Sequence, residues 1–307
     1  MTARDAGEPT SGAVSRTGTV ALIGRPNVGK STLLNRLVGE KVAIVSSIPQ
    51  TTRTRVLGIK HLPGAEIIFL DTPGIHTPRH LLNEVMLRTA RAVLEEADVI
   101  CVVVDVSAGW GANDRLVLDL VRGRGAPVLL ILNKVDRMPK PKILPVIDES
   151  RKVFDFAEIF PISAKQDDEF DALLRAIVDR LPTGEARYPA DEYTDQTVRV
   201  MAAEFIREAI LAHTREEVPH SVAVRIEEFQ EDEAKGLVRI KALVLVEKAS
   251  QRGILIGAKG GMMKQVGEQA RAELERMLGR RVFIGLWVGV EPEWRQDPRA
   301  LQELGYT

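Results

Sequence analysis

The chain has 307 residues, 45% of them hydrophobic and 28% charged, with 42 Lys and Arg against 43 Asp and Glu and a formal net charge of -1. That length suits about two domains with cores of their own, and the balance excludes both a disordered tail and a uniformly basic coat for nucleic acid. One cysteine, Cys101, excludes an intrachain disulfide, and no apolar run approaches the ~20 residues of a membrane span.

Residues 1–16 are rich in Ser, Thr, Gly and charge, lack a signal-peptide core, and read as the disordered leader of a cytoplasmic protein. Over 17–182, apolar runs at 20–23, 67–70, 99–104, 128–132 and 159–162 alternate with helix-period segments at 31–37, 82–95, 114–121 and 170–181. This order predicts an α/β domain, a mostly parallel sheet with helices on both faces, whose ligands sit at the carboxyl ends of the strands. Pro182, Gly184 and Pro189 mark 183–197 as a linker. Beyond it, a helix at 198–213, strands at 222–229 and 237–246, a helix running into Gly257, a helix at 261–278 and a strand at 282–290 predict a smaller α+β domain over 198–307.

Gly24, Arg25, Pro26, Asn27, Val28, Gly29, Lys30 and Ser31, followed by Thr32, have the spacing of a phosphate-binding loop between the first strand and the first helix. Its glycines let N–H groups turn around phosphates, Lys30 reaches the β- and γ-phosphates, and the Ser31 hydroxyl suits Mg²⁺. Asp71, Thr72, Pro73 and Gly74 follow the next strand, where a carboxylate holds Mg²⁺ through water and the Gly74 N–H approaches the γ-phosphate. Asn133, Lys134 and Asp136 select the base: guanine offers two adjacent donors to the Asp136 carboxylate, and adenine would leave it unpaired. Ser163, Ala164 and Lys165 follow the last strand, with the Ala164 N–H placed for the guanine carbonyl. GTP is therefore the expected substrate and GDP the product. The five histidines have no zinc-ligand spacing, and Cys101 reads as a core residue.

With these motifs, Asn27 and the run Gln50-Thr51-Thr52-Arg53 make the chain resemble the TrmE–Era branch of the translation-factor-related GTPases. The resemblance implies that a threonine of the run closes over Mg²⁺, Thr52 by position with Thr51 as the other choice. Ile75 stands where Ras-like GTPases carry a water-orienting glutamine, so the expected intrinsic hydrolysis is slow. In this branch the asparagine matching Asn27 helps hold a potassium ion that offsets charge in the transition state. Lys30, Asn27, Thr52 and Gly74 form the candidate catalytic group.

In the second domain Gly257-Ala258-Lys259-Gly260 lies between two helices, and the element order matches a type II KH fold. Such a loop lets backbone N–H groups approach a single-stranded nucleic acid. Residues 235–281 carry 11 basic and 4 acidic side chains, against 5 and 13 over 183–234, which suggests a cationic face around the loop. Lys248, Arg252, Lys259, Lys264 and Arg271 are the candidate phosphate contacts, and Ile254, Leu255 and Ile256 the candidate groove for bases. Many relatives with this domain pair carry lysine where Gly289 follows Leu286-Trp287-Val288, so the last strand receives no RNA assignment.

A member of the branch ending in a KH domain is implied to bind 16S rRNA near its 3′ end and to act in assembly of the small (30S) ribosomal subunit, as a monomer, with peripheral contact at the inner face of the cell membrane. The competing reading is a GTP-gated regulator of protein partners or of a membrane surface. A tRNA-modifying relative would carry a reactive cysteine near its C-terminus, which this sequence lacks.

Overall fold

Strands buried along their whole length organise the first sheet. The computed structural model describes residues 16–166 and 170–306. The expected leader lies outside these residues except for Arg16, which is already the first residue of strand β1 (Arg16–Ile23) and whose guanidinium donates to the Leu181 carbonyl at 2.6 Å. Helix α1 (Lys30–Val38), strands β2 (Val56–Leu62) and β3 (Ala65–Asp71), helix α2 (Leu81–Glu96), strand β4 (Val99–Asp105), helix α3 (Ala112–Val121), strand β5 (Val128–Asn133), helix α4 (Ile143–Val153), strand β6 (Glu158–Pro161) and helix α5 (Asp171–Val178) follow.

The sheet order is β2-β3-β1-β4-β5-β6, parallel throughout except for the antiparallel pair β2 and β3. Every residue of β4 is buried. Val99, Cys101 and Val103 face the core shared with α1 and α5, while Ile100, Val102 and Val104 face the one shared with α2 and α3. Helices therefore cover both faces, as parallel strands require. Burial pushes the Cys101 thiol up to about 12, which leaves it chemically inert.

The segment read as a linker is not a free spacer. It runs along the outer edge of β2: the Ile59 N–H donates to Tyr193 O at 2.9 Å and the Thr194 hydroxyl to Leu57 O at 2.7 Å. The fully buried Glu66 carboxylate accepts from the Arg187 and Tyr188 N–H groups and from the Thr17 hydroxyl. Thr197 then caps helix α6 (Val198–His213), accepting from the Val200 N–H.

The C-terminal part continues with α7 (Val218–Ser221), β7 (Ala223–Asp232), β8 (Leu237–Val246), α8 (Ala249–Ile256), α9 (Gly261–Leu278), β9 (Arg281–Val290) and α10 (Pro298–Glu303). In its sheet, ordered β7-β8-β9, the first pair is antiparallel and the second parallel. Residues of α6, α8 and α9 pack on one face of this sheet, and Ile44 from the first domain joins the same core. Residues of α2 pack against Trp294, Leu301 and Tyr306 in a second contact between the two parts.

Candidate nucleotide pocket and glycine loop

The phosphate loop is built around constraints on its glycines. Gly29 has φ 98°, and a Cβ there would lie 2.3 Å from Asn133 Nδ2. A Cβ on Gly74 would lie 2.7 Å from the Pro26 backbone, so the two phosphate-facing loops meet only because that position has no side chain. Lys30 is the first residue of α1, buried, with its ammonium 3.3 Å from Gly24 O and 3.4 Å from Arg25 O. Burial lowers its affinity for the proton, and Asp71 opposes that effect.

Three oxygens converge in front of it. The Ser31 hydroxyl donates to Asp71 Oδ2 at 2.6 Å and lies 2.9 Å from the Thr52 hydroxyl, which is 3.3 Å from the same carboxylate. Thr51 turns away and donates to Ile48 O. Asp71 Oδ1 is buried with no hydrogen-bond partner. Burial pushes the Asp71 carboxyl up, while Lys30, Ser31 and Thr52 pull it down. A hard divalent cation fits this donor set, because it takes oxygen ligands and would satisfy the orphaned oxygen.

Asn27 has a left-handed backbone, φ 62°, and its amide donates to Ser47 O at 2.6 Å, tying the phosphate loop to the segment leading into Thr51 and Thr52. Ile75 is 3% exposed within the core and donates its N–H to Gly24 O, so no side chain there faces the cleft. Thr72 is also turned inward: its hydroxyl and N–H both bond Leu22 O, which corrects its placement among the nucleotide contacts.

The base loop differs from expectation at two positions. Asn133 faces the protein, donating to Val28 O at 2.7 Å and accepting from the Ala164 N–H at 2.9 Å. The Ala164 N–H is thus held by Asn133. Asp136 is exposed, with one oxygen fixed by the Ser163 hydroxyl at 2.6 Å. Lys134 reaches across to Asn27 O at 2.5 Å and to Asp105 at 2.8 Å. Asp105 ends β4 outside every motif, so only its place at a strand's carboxyl end signals it.

Around the second glycine loop, Gly257 ends α8 with φ 68°, Ala258–Gly260 make one 3-10 turn, and Lys259 is left-handed at φ 51°. Lys248, Arg252, Lys259, Lys264 and Arg271 are all exposed, as is Ile254, whereas Leu255 is fully buried and belongs to the core. Ile256 is half-buried. The basic block is less free than its count suggests: Lys235, Lys241 and Arg280 pair with Asp232, Glu228 and Glu231 of β7, and Lys264 with Glu268.

Two arginines join the halves of the molecule, Arg53 from the Thr-Thr-Arg run, to which the sequence assigned no role, and Arg207, which no motif includes. Arg53, next to Thr52, is 4% exposed and donates to Val222 O at 2.6 Å, with its guanidinium over the rings of Trp294 and Tyr306 at 5.5 and 5.7 Å. Arg207 on α6 donates to Thr51 O and pairs with Glu204. Glu208, on the same helix, accepts from the Val45 N–H at 2.9 Å and pairs with Lys41 at 2.6 Å.

Residues 19–134 match a family described as 50S ribosome-binding GTPase, and residues 217–295 match the KH domain. The chain is 46% identical to GTPase Era of Geobacter metallireducens, over 95% of this chain and 98% of that protein. It is 45% identical to GTPase Era of Heliobacterium modesticaldum, over 95% and 97%. Of solved structures, it superposes with a TM-score of 0.93 and 43% identity on Era in complex with MgGDPNP and nucleotides 1506–1542 of 16S ribosomal RNA, covering 95% of this chain and 99% of that one. A variant of Aquifex aeolicus Era bound to GDP and AlF4⁻ superposes with a TM-score of 0.92 at the same identity and coverage. Likeness of this extent spans both domains, and the chain belongs to the Era family of GTPases.

Proposed function

We propose that this GTPase is a switch that binds the 3′ region of 16S rRNA through its KH domain and acts in assembly of the small ribosomal subunit. The observation that carries the reading is the continuity of Thr52 and Arg53: one residue reaches the Ser31 and Asp71 oxygens, and the next is docked in the C-terminal part. The relative solved with MgGDPNP and 16S RNA supports the choice of ligands.

In the pocket, Lys30 and the N–H groups at the start of α1 would neutralise the phosphates. Ser31 and Thr52 would hold Mg²⁺ directly and Asp71 through water. When bound, that ion supplies positive charge to the β- and γ-phosphate oxygens. Gly74 presents its N–H to the γ-phosphate, and Asp136 accepts from the guanine edge. Asn27 would hold potassium through its side-chain oxygen, its nitrogen being engaged by Ser47. With Ile75 buried, that cation would supply stabilisation no side chain at this position provides. GTP turnover is expected to be faster in potassium than in sodium at equal ionic strength, and equal rates would remove the potassium assignment.

The RNA reading is tested with full-length protein and RNA corresponding to nucleotides 1506–1542 of 16S rRNA. Lys259→Asp should weaken binding and flatten its salt dependence by removing a phosphate contact. Unchanged affinity and salt slope would overturn it.

A further inference from the structure

The KH sheet has a second face. Val238, Ile240, Ala242 and Val244 of β8, with Val282, Ile284, Leu286 and Val288 of β9, point to the helix-side core. The residues between them point the opposite way, because strand side chains alternate. The parallel register sets Arg239 beside Phe283, Lys241 beside Gly285 and Leu243 beside Trp287. The C-terminal segment covers one end of this face, where Ala223, Leu243 and Leu245 pack with Trp294 and Leu301. At the other end Phe283 is 52% and Trp287 50% exposed.

The outer edge of the Trp287 ring reaches back over Gly285. A Cβ on Gly285 would lie 2.9 and 3.1 Å from two outer carbons of the indole, so that edge of the ring occupies space left by a residue without a side chain. Arg239 and Arg281 are exposed beside the rings, and neither forms an ion pair among the described residues. Arg281 donates to Lys235 O at 3.1 Å. The carboxylate of Glu228 is already paired with Lys241 at 2.5 Å.

We propose that this open half-face is a second contact surface for single-stranded RNA, with one unpaired base stacked on Trp287, another on Phe283, and phosphates at Arg239 and Arg281. Two exposed aromatic rings bordered by cations match a ligand that alternates π-faces with negative charge. β9 is the edge strand of its sheet, so a strand leaving the glycine loop reaches this face by passing around that edge. The proposal rests on the RNA reading above and extends it to the face away from the glycine loop.

The test again uses the full chain and the RNA of nucleotides 1506–1542. Trp287→Ala should weaken binding about 5- to 150-fold, the effect of losing one stacked base, with the salt slope unchanged. Trp287→Phe should retain most of the affinity, and GTP turnover in both variants reports that the fold survives. RNA should quench indole fluorescence in the wild-type chain, and Trp287→Phe should remove that quench, since Trp294 is fully buried and Trp110 lies in the first domain, bonded to Ser150 and stacked on Phe156. Wild-type affinity in Trp287→Ala, or no quench in the wild-type chain, would overturn the proposal, as would a protein partner lost from that variant while RNA binding stays intact. If Lys259→Asp weakens binding and Trp287→Ala does not, only this second surface falls. If neither does, the RNA reading falls with it.

Discussion

Lys134 takes a left-handed backbone, φ 67°, and from there its ammonium joins Asp105 to the phosphate loop. Burial alone would raise the Asp105 carboxyl, but the bonds from Lys134 and Ser107 outweigh it and hold the group below its ordinary value. A depressed carboxyl contributes stability above its unfolded-state pKa and loses that contribution as pH falls through the folded value. Asp105→Asn should therefore lower unfolding stability at neutral pH by about 1 kcal/mol, discounted for partial solvent screening. The gap from wild type should close as the pH falls through the carboxylate range, measured by urea denaturation. Asp136 carries a different prediction. Its substitution by Asn removes a charged acceptor facing the base, so GTP affinity should fall at least about tenfold and xanthosine triphosphate should bind better than GTP. Calorimetric titration with both nucleotides measures this, and unchanged GTP affinity would place base reading elsewhere.

At the scale of elements, the phosphate loop depends on what Gly29 permits. Gly29→Ala would place a carbon 2.3 Å from Asn133 Nδ2 on a backbone at φ 98°, displacing the bond from Asn133 to Val28 O. Loss of about 1–3 kcal/mol in thermal unfolding and a parallel loss of GTP affinity are expected, because one strained residue joins the phosphate and base loops. This loop was legible in the sequence, since its chemistry is carried by consecutive residues between a clear strand and a clear helix. β2 was not. Gly58, Lys60 and His61 blur its apolar pattern, yet Gly58 is what lets the strand pass Leu34 and Val38 of α1, where a Cβ would lie 2.8 and 2.7 Å away. α4 was hidden by Pro145, which reads as a breaker but occupies the first turn, where no N–H bond is needed. The 183–197 segment has the composition of a linker, and its packing comes from Glu66, more than a hundred residues earlier. No local pattern encodes such a partner.

For the whole molecule, a net charge of -1 conceals pairing between segments that are far apart in sequence. The acidic strand β7 neutralises part of the basic block, and Lys41 of the first domain lies between Glu208 and Glu273 of the second. The two domains also meet through the loop that carries Thr52. Its Thr51 carbonyl is held by Arg207, its Val45 N–H by Glu208, and its Arg53 by Val222 O and two aromatic rings. A loop held this way cannot withdraw Thr52 from Ser31 and Asp71 without disturbing contacts in the KH part. This contact is the physical route by which nucleotide state would alter RNA affinity, and linkage requires RNA to alter nucleotide affinity by the same factor. Arg53→Leu keeps an apolar group against Trp294 and Tyr306 but leaves Val222 O without its donor. In this variant RNA affinity should differ less than about twofold between GDPNP and GDP, where coupling in the wild-type chain is expected on the order of 5- to 150-fold. GTP affinity itself should change little, since Arg53 points away from the pocket. Filter binding of RNA under each nucleotide measures the ratio, and an undiminished ratio in Arg53→Leu would assign the coupling to the Arg207 and Glu208 contacts of the same loop or to the second contact, where α2 packs on Trp294 and Leu301.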